Sequence, residues 1–359
     1  MPSVPVETGP TRFLPPNGGT VKPLPEPFGE RATLVALYRW MTLTRFFDAK
    51  AVALQRTGRL GTYASSLGQE ASPVGVAWAM RPEDALAPSF REHGAQLLRG
   101  VTPLELFLYW GGDERGSDFA GPRHDFPVCA TVGAQAPHAA GAALAFKLRG
   151  EARAAVCLLG DGATSKGDVY EAMNMAGTWA LPLVFVVINN QWAISTPRSV
   201  QTAASRLADK ALATGFPGRQ VDGNDVVAVA YETSQALERA RGGDGPGLLE
   251  CLTYRLADHT TVDDASRYRD PAEVEAHRGE DPLERLRAYL TNEAGWTAAE
   301  DEALREQCQA EIEEASDAWL ASPAPDPGSM FDSLFAAAPR EIARQRGSLL
   351  ELLENGRDA

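Results

Sequence analysis

The sequence predicts an α/β protein in which helices flank a parallel sheet. Two short apolar runs, 154–159 and 183–188, are separated by a segment with helical character at 168–179. Strand, helix and strand in that order are typical of parallel sheets, because a parallel connection needs a crossover, usually a helix. A further helix at 226–241 and a further apolar run at 248–253 continue this alternation.

Helices are also expected before this sheet. Apolar residues recur at roughly helical spacing over residues 30–57, and Gly58 follows as a stop signal. Residues 69–80 and 103–110 indicate two more helices. The small residues of 137–149 indicate another, which their size would allow to pack closely.

Two segments between these helices have other expected conformations. Residues 85–87 form a short apolar run, which predicts a strand that leads to Phe90 and Arg91. Residues 111–127 are rich in glycine and charge, so they are expected to form a loop.

The chain is expected to divide into three parts. It has 359 residues, of which 44% are hydrophobic, enough for one large core or two ordinary ones. Residues 1–29 are rich in proline and are predicted to be an extended arm. Residues 30–295 carry the alternating strands and helices and are predicted to form the α/β domain. The mostly helical and acidic residues 296–359 are predicted to form a C-terminal extension.

The composition argues against several classes of partner. A formal net charge of -14 would repel nucleic acid and anionic membrane surfaces, so neither is expected as a partner. No stretch approaches the roughly 20 apolar residues of a membrane helix, and the N-terminus lacks a signal-peptide pattern. The four cysteines form no C-x-x-C pair. A zinc site or disulfide framework is therefore disfavoured, and buried thiols in a reducing, cytoplasmic location are expected.

Polar residues follow the two apolar runs. Gly160, Asp161 and Gly162 follow the first run, and Asn190 follows the second. Because the carboxyl ends of parallel strands share one edge of the sheet, these groups should lie together. Glycines and free helix amides suit a phosphate, and a carboxylate beside a phosphate needs a cation such as Mg²⁺ between them. The sequence therefore predicts Asp161, Asn190 and a backbone carbonyl near Trp192 as oxygen ligands of Mg²⁺.

Each of these motifs alone has an ordinary explanation. Gly-Asp-Gly and Asn-Asn are both common in turns that bind nothing. Their occurrence together, at the ends of successive predicted strands, favours the binding site.

Several motifs together resemble one known family. The segment from Gly160 to Asn190 resembles the thiamine diphosphate signature. From residue 30 to the C-terminal helices, the chain is similar to the alpha subunits of pyruvate and branched-chain 2-oxo acid dehydrogenases. The segments that carry this resemblance are 91–94, 160–165, 189–190, 193–197, 221–225, 254–255 with His259, and 263–269.

The resemblance implies a set of site residues. Those expected to bind thiamine diphosphate are Arg91, Val132, Gly160, Asp161, Gly162, Ala163, Asn190, Arg255 and His259. Those expected to bind Mg²⁺ are Asp161, Asn190 and, through its backbone carbonyl, Trp192. Arg91 would contact the diphosphate, because a planar guanidinium suits phosphate oxygens. His259 would lie on a loop near the diphosphate and the substrate and is the expected catalytic residue.

Other positions depend on finer points of the resemblance. Val132 is implied to pack on the pyrimidine ring of the cofactor, and Gly162 and Ala163 to give backbone amides to the diphosphate. Phe90 stands where the family usually has tyrosine, so no phosphate hydrogen bond is expected from it. Trp192 also replaces a frequent tyrosine, a change that a backbone ligand should tolerate.

The resemblance implies a reaction and partners as well. Thiamine diphosphate would support decarboxylation of a 2-oxo acid, with the acyl group passed to the lipoyl group of an acyltransferase component. In the family a glutamate of the beta subunit activates the pyrimidine ring, and this chain is too short to hold the diphosphate-binding domain, the pyrimidine-binding domain and the third domain of single-chain relatives. An alpha2-beta2 heterotetramer with active sites between the subunits is therefore expected.

Pyruvate is the expected substrate, with branched-chain 2-oxo acids and acetoin as alternatives. Residues 132–135 resemble the pyruvate enzymes, whereas 193–197 and 263–269 resemble the branched-chain enzymes. A single methylene group changes discrimination by only about 1–3 kcal/mol. The substrate therefore has to be measured.

Two other classes of protein are less favoured. A nicotinamide dehydrogenase also begins with strand, glycine and helix, but here the turn lacks G-x-G-x-x-G. A non-catalytic assembly subunit should have lost part of the site, whereas Arg91, Asp161 and Asn190 are all present. Magnesium-dependent cofactor binding would discriminate between these classes.

Overall fold

The structure is a computed structural model that describes residues 9–356. The chain forms two compact units, of which the first ends at Ser316 and the second begins at Asp317. Residues 1–8 of the predicted arm and 357–359 of the predicted C-terminal extension lie outside the described residues.

The first unit is built on a five-stranded parallel sheet. The strands of the described chain are β1 (Ala85–Ala87), β2 (Ala155–Gly160), β3 (Leu183–Asn189), β4 (Trp192–Ala193), β5 (Thr196–Pro197), β6 (Gly218–Asp222) and β7 (Gly247–Leu252). The sheet has the order β1-β2-β3-β7-β6, and every neighbouring pair in it is parallel. Strands β4 and β5 form a separate antiparallel pair. The predicted α/β fold with a parallel sheet is therefore confirmed.

Helices of the first unit connect and cover these strands. The α-helices of the described chain are α1 (Arg31–Arg56), α2 (Ala71–Ala79), α3 (His93–Arg99), α4 (Pro103–Trp110), α5 (Gln135–Arg149), α6 (Gly167–Thr178), α7 (Arg198–Gln201), α8 (Val226–Arg241), α9 (Pro271–Arg278), α10 (Pro282–Glu293), α11 (Ala298–Ala321) and α12 (Arg340–Glu354). The predicted helices at 103–110 and 226–241 are confirmed with the same bounds as α4 and α8.

Apolar side chains of the central strands alternate between two cores. On β2, Val156 and Leu158 pack in a core formed with α1, α2 and α8. Cys157 and Leu159 of the same strand pack on the opposite face, in a core formed with α5 and α6. Successive side chains of a strand point to opposite faces of the sheet. When both faces are covered, each strand therefore needs a continuous run of apolar residues.

The strand register places the predicted site residues at one edge of the sheet. Gly160 at the end of β2 pairs with Ile188 of β3, and Asn189 at the end of β3 pairs with Leu252 of β7. The turns that follow β2 and β3 therefore leave the sheet side by side. This is the edge where ligands of open parallel sheets bind.

The described part of the predicted arm, residues 9–29, belongs to the first unit and packs against β6 and the start of α8. Thr11 forms a parallel bridge with Val221 of β6. Phe13 and Leu14 are buried, and their backbone N–H groups donate to Asp225 Oδ2 at 2.6 and 2.8 Å. Side-chain burial and these two hydrogen bonds hold the segment in place.

Asp225 is predicted to be important for stability, because it also caps α8. Its Oδ1 atom accepts from the backbone N–H groups of Val227 and Ala228 at 3.1 and 3.2 Å. Asp225→Ala would lose a helix cap and leave buried donors unpaired, so we expect a loss of about 2–4 kcal/mol in the free energy of unfolding. Urea unfolding would measure this loss.

A matched control is Asp270, which caps the exposed helix α9 through a single hydrogen bond to Ala272 N at 2.8 Å. Asp270→Ala should cost about 1 kcal/mol or less. Equal losses at the two positions would contradict the proposed role of Asp225 in holding the N-terminal segment.

Two expectations from composition concern membranes and cysteines. Within residues 9–356, no helix combines the length and apolar character that a membrane span requires. All four thiols are free, and those of Cys157, Cys251 and Cys308 are buried, as expected. Cys129 is partly exposed.

Candidate active site

A cavity of about 230 Å³ lies at the carboxyl edge of the sheet. It is lined by Trp192 and by every predicted cofactor-binding residue except Arg255, namely Arg91, Val132, Gly160, Asp161, Gly162, Ala163, Asn190 and His259. Two larger cavities, of about 500 and 520 Å³, contain none of the predicted site residues in their linings. The chemistry predicted from the sequence therefore converges on the smaller cavity.

The turn after β2 places Asp161 in this cavity. Asp161 is 1% exposed, and its Oδ2 atom has no hydrogen-bond partner among the described residues. Burial raises its pKa to about 6, although Arg255 and Arg91 act in the opposite direction. A buried carboxylate oxygen without a partner is stabilised by a cation. The Mg²⁺ ion predicted from the sequence fits this requirement, because it prefers hard oxygen ligands.

Neighbouring side chains fix the shape of this turn. Thr164 Oγ1 donates to the carbonyl of Asp161 at 2.7 Å, and Lys210 Nζ donates to the carbonyl of Thr164 at 3.0 Å. A Cβ atom at Gly162 would lie 2.7 Å from Ala193 Cβ. Glycine is therefore required at 162 for the turn after β2 to approach β4.

The turn after β3 presents Asn190. This residue is 6% exposed, and its Oδ1 atom accepts from the backbone N–H of Trp192 at 3.3 Å. Gln191 and Ile194 have φ angles of 72 and 58°, which bend the chain sharply on both sides of β4. The turn thus brings Asn190 and Trp192 to the same cavity as Asp161.

The backbone carbonyl of Trp192, the predicted Mg²⁺ ligand, already accepts one hydrogen bond in the structure. Its carbonyl oxygen accepts from Arg255 Nη1 at 3.3 Å. A carbonyl oxygen has two lone pairs, so one remains for another partner. The role of Trp192 as a Mg²⁺ ligand stays a prediction.

Two buried arginines give this region positive charge. Arg91 is 7% exposed and donates to Ser65 O at 2.6 Å and to the ring and carbonyl of His259 at 2.8 and 2.5 Å. Arg255 is fully buried, lies outside the cavity lining, and donates to Ile194 O and Tyr268 Oη at 2.8 and 2.9 Å. These partners are all neutral, so a bound anion would supply the missing negative charge.

Burial lowers the pKa of both arginines. The pKa of Arg91 falls to about 10, partly because of the nearby charge of Arg255, and the pKa of Arg255 is also lowered. Arg91 nevertheless stays protonated at neutral pH. Its guanidinium therefore remains a cation suited to phosphate oxygens, as the sequence predicted.

A buried aspartate positions Arg91 indirectly. Asp48 on α1 accepts from Tyr63 Oη, Ser65 Oγ and the backbone N–H of Ser66 at 2.8, 2.7 and 2.7 Å. These hydrogen bonds fix the segment whose Ser65 carbonyl accepts from Arg91. The sequence analysis missed Asp48, which lies on the buried face of a helix.

His259 is held in one protonation state by its neighbours. Its Nδ1 atom faces Arg91 Nη2, so Nδ1 is the acceptor and Nε2 carries the proton. Burial, together with the charges of Arg91 and Arg255, lowers its pKa to about 4. The imidazole is therefore neutral at pH 7. Its backbone N–H donates to Asp263 Oδ2 at 3.0 Å, which orders the loop.

The apolar side of the cavity includes Val132 and Phe90. Val132 is 42% exposed at the cavity, and the ring of Phe90 packs edge-on against His259 at 6.1 Å. The role of Val132 towards a pyrimidine ring stays a prediction.

Three further polar residues in the lining, Gln69, Ser89 and Glu92, were not among the predicted site residues. Gln69 is 2% exposed and Glu92 is 3% exposed. Burial raises the pKa of Glu92 to about 7, and its Oε2 atom accepts from the backbone N–H of Arg91 at 3.2 Å. Glu92 lies in the segment 91–94 that carries the family resemblance, which was the sequence signal for it.

Comparisons with known proteins show the family to which the chain belongs. Residues 38–328 match the family described as "Dehydrogenase E1 component". The chain is 42% identical over 317 residues to the 3-methyl-2-oxobutanoate dehydrogenase subunit alpha of Mycobacterium tuberculosis, covering 88% of this chain and 86% of the relative.

Relatives with a different substrate in their names are similarly close. The pyruvate dehydrogenase E1 component subunit alpha of Acholeplasma laidlawii is 42% identical over 297 residues, covering 82% of this chain and 86% of that protein. The corresponding subunit of Staphylococcus aureus is 39% identical over 313 residues, covering 87% and 85%.

Proposed function

This chain belongs to the dehydrogenase E1 component family, and we propose that it is the alpha subunit of a thiamine-diphosphate-dependent pyruvate dehydrogenase. In the proposed reaction, pyruvate is decarboxylated and its acetyl group passes to the lipoyl group of an acyltransferase component. The beta subunit of the same component is the proposed partner, in an alpha2-beta2 assembly.

One observation carries the proposal. The unpartnered Oδ2 atom of Asp161 and the guanidinium of Arg91 line the same cavity, so that a group suited to a cation lies beside a group suited to an anion. A Mg²⁺ ion bound to a diphosphate satisfies both groups at once. Asp161 and Asn190 would hold the metal, and Arg91 with the backbone amides of Gly162 and Ala163 would hold the diphosphate.

The remaining side chains would place the reactants. When bound, thiamine diphosphate supplies a nucleophilic carbon for attack on the 2-oxo carbon and an electron sink for decarboxylation. The neutral ring of His259 would offer its Nε2–H group to an oxygen atom in the cavity, because Nδ1 is engaged by Arg91. Phe90 and Val132 would keep water from this side of the cavity.

The choice of pyruvate rests on two observations. Residues 132–135 resemble the pyruvate enzymes. The cavity also carries three β-branched side chains, Val132, Ile188 and Ile194, whose bulk favours a small acid. The relative from Mycobacterium tuberculosis supports 3-methyl-2-oxobutanoate as the second candidate.

The substrate prediction is tested with this chain co-expressed with its beta subunit, in the presence of thiamine diphosphate and Mg²⁺. We expect kcat/KM for pyruvate to exceed that for 3-methyl-2-oxobutanoate by about tenfold or more, as a few methylene groups can provide. The reverse order would assign the branched-chain reaction. Cleavage of acetoin alone, by a complex that binds the cofactor, would overturn both assignments.

A further inference from the structure

The side chain of Gln69 occupies a position in the cavity that the proposed function does not use. Gln69 lies just before α2, is 2% exposed and lines the cavity beside Asn190. Its Oε1 atom accepts from Asn190 Nδ2 at 3.2 Å. Its Nε2 atom has no hydrogen-bond partner within residues 9–356.

The orientation of both amides follows from one backbone group. The N–H of Trp192 requires an acceptor, and Asn190 Oδ1 supplies it at 3.3 Å. Asn190 Nδ2 therefore faces Gln69, which must present its oxygen in return. Nε2 is then the atom of Gln69 left to donate to a bound group.

The backbone around Gln69 is also fixed. Its own N–H donates to Ser66 O at 3.1 Å, and the carbonyl of the preceding Gly68 accepts from Thr253 Oγ1 at 3.0 Å. Gly68 has a φ of 87°, and a Cβ atom there would lie 2.7 Å from Leu256. The backbone of Gln69 is thus held in place before any ligand binds, and the bond to Asn190 orients its side chain.

We propose that Gln69 positions Asn190 and donates Nε2–H to an oxyanion of the bound diphosphate. This inference rests on the proposed function, because it takes Asn190 as a ligand of Mg²⁺. By accepting from Asn190 Nδ2, Gln69 prevents a 180° rotation of the Asn190 side-chain amide. Oδ1, the only atom of that side chain that can bind a cation, therefore stays on the side of the Trp192 N–H group.

Two substitutions separate these two roles. Gln69→Leu removes both the acceptor for Asn190 and the donor, at similar volume. Gln69→Glu keeps an oxygen for Asn190 but replaces the donor with a negative oxygen. The complex with the beta subunit would be titrated with thiamine diphosphate at fixed Mg²⁺, and with Mg²⁺ at fixed thiamine diphosphate, by calorimetry.

We expect both variants to bind thiamine diphosphate ~10-fold or more weakly than the wild type, a loss typical of groups that orient metal ligands. The Mg²⁺ concentration at half-saturation should rise further in Gln69→Leu than the weaker cofactor binding explains, because this variant no longer orients Asn190. Gln69→Glu should show no such additional rise. The KM for pyruvate, measured with saturating cofactor, should change less than about threefold, because Gln69 is not proposed to contact the substrate.

Gln96 provides a matched control. It is also 2% exposed, its Nε2 atom also has no hydrogen-bond partner among the described residues, and it does not line the cavity. Gln96→Leu should leave cofactor binding unchanged. Thermal melting of each complex would show whether Gln69→Leu is folded, and Gln69→Glu tests the donor in a variant that keeps the bond to Asn190.

The outcomes distinguish this inference from the proposed function. If the wild-type complex does not bind thiamine diphosphate with Mg²⁺, the proposed function fails. If the wild type binds and both Gln69 variants bind equally well, the inference is overturned. A raised KM for pyruvate with unchanged cofactor affinity would also overturn it, because the donor would then serve the substrate carboxylate.

Discussion

Asp161→Ala is expected to abolish magnesium-dependent binding of thiamine diphosphate and to lower kcat/KM by on the order of 10³-fold, since a bound metal contributes several kcal/mol by orienting and neutralising its ligands. Asp161 carries a buried carboxylate oxygen that has no partner among the described residues. Without that carboxylate, the cavity would keep the cation Arg91 but lose the group that we propose to hold Mg²⁺.

Removal of the negative charge of Asp161 is expected to leave the fold intact. Because Asp161 Oδ2 is buried without a partner and burial raises the pKa of this group, the ionised side chain is a cost to the ligand-free protein at neutral pH. Asp161→Asn, which is isosteric, should therefore unfold at the same or a higher urea concentration than the wild type. A variant that is as stable as the wild type or more stable, but binds the cofactor more weakly, would show that Asp161 has a functional rather than a structural role.

Calorimetric titration with thiamine diphosphate, with and without Mg²⁺, would measure the effect on binding. Asp209→Asn is the matched control, because Asp209 is 45% exposed in its side chain and its ion pair with Arg206 lies on the surface. Its substitution should leave binding and activity unchanged. Retention of magnesium-dependent binding in Asp161→Ala would contradict the role proposed for this residue.

The fold was predictable where hydrophobic periodicity was strong. The runs that became β2 and β3 are buried on both faces, so their sequences are continuously apolar and easily recognised. Strand β6 was missed because it lies at the edge of the sheet and carries Arg219 and Gln220, which are exposed and half-buried. A polar edge strand has no apolar pattern that would identify it.

The same distinction applies to the site. Asp161 and Asn190 were predictable, because strand ends and parallel topology together place them at one edge of the sheet. Asp48 and Gln69 act through contacts with residues far away in the chain, and no local spacing reveals such pairs. Asp48 contacts Ser65 and Ser66, whose segment holds Arg91, and Gln69 contacts Asn190 across 121 positions.

Arg255 shows a third case. The resemblance implied that it binds the cofactor. In the structure its guanidinium donates to the carbonyls of Trp192 and Ile194, and Arg255 itself does not line the cavity. Its charge still acts on the site, because it lowers the pKa of Arg91, Asp161 and His259. Direct contact between Arg255 and the cofactor therefore stays a prediction, whereas its electrostatic effect on the cavity is visible in the ligand-free chain.

Decarboxylation is expected to require a second subunit, and the apolar side chains at the cavity give the physical reason. Val132 and Ile194 are 42% and 55% exposed, and an exposed apolar surface at a binding site is typically buried by a partner. Ile194 also has a φ of 58°, which is unfavourable for a β-branched residue. Arg255 holds this conformation by donating to the Ile194 carbonyl at 2.8 Å.

The backbone conformation of Ile194 costs energy and exposes an apolar side chain. Both features are explained if Ile194 packs against the beta subunit.

We expect this chain alone, and the beta subunit alone, to show no decarboxylation. The co-purified complex should be active and should contain two copies of each subunit by light scattering. Ile194→Asp should weaken assembly and activity together, whereas Leu148→Asp, at a residue 78% exposed on α5, should not. Decarboxylation at the full rate by this chain alone would contradict a shared site, and normal assembly of the Ile194→Asp variant would contradict a contact between Ile194 and the beta subunit.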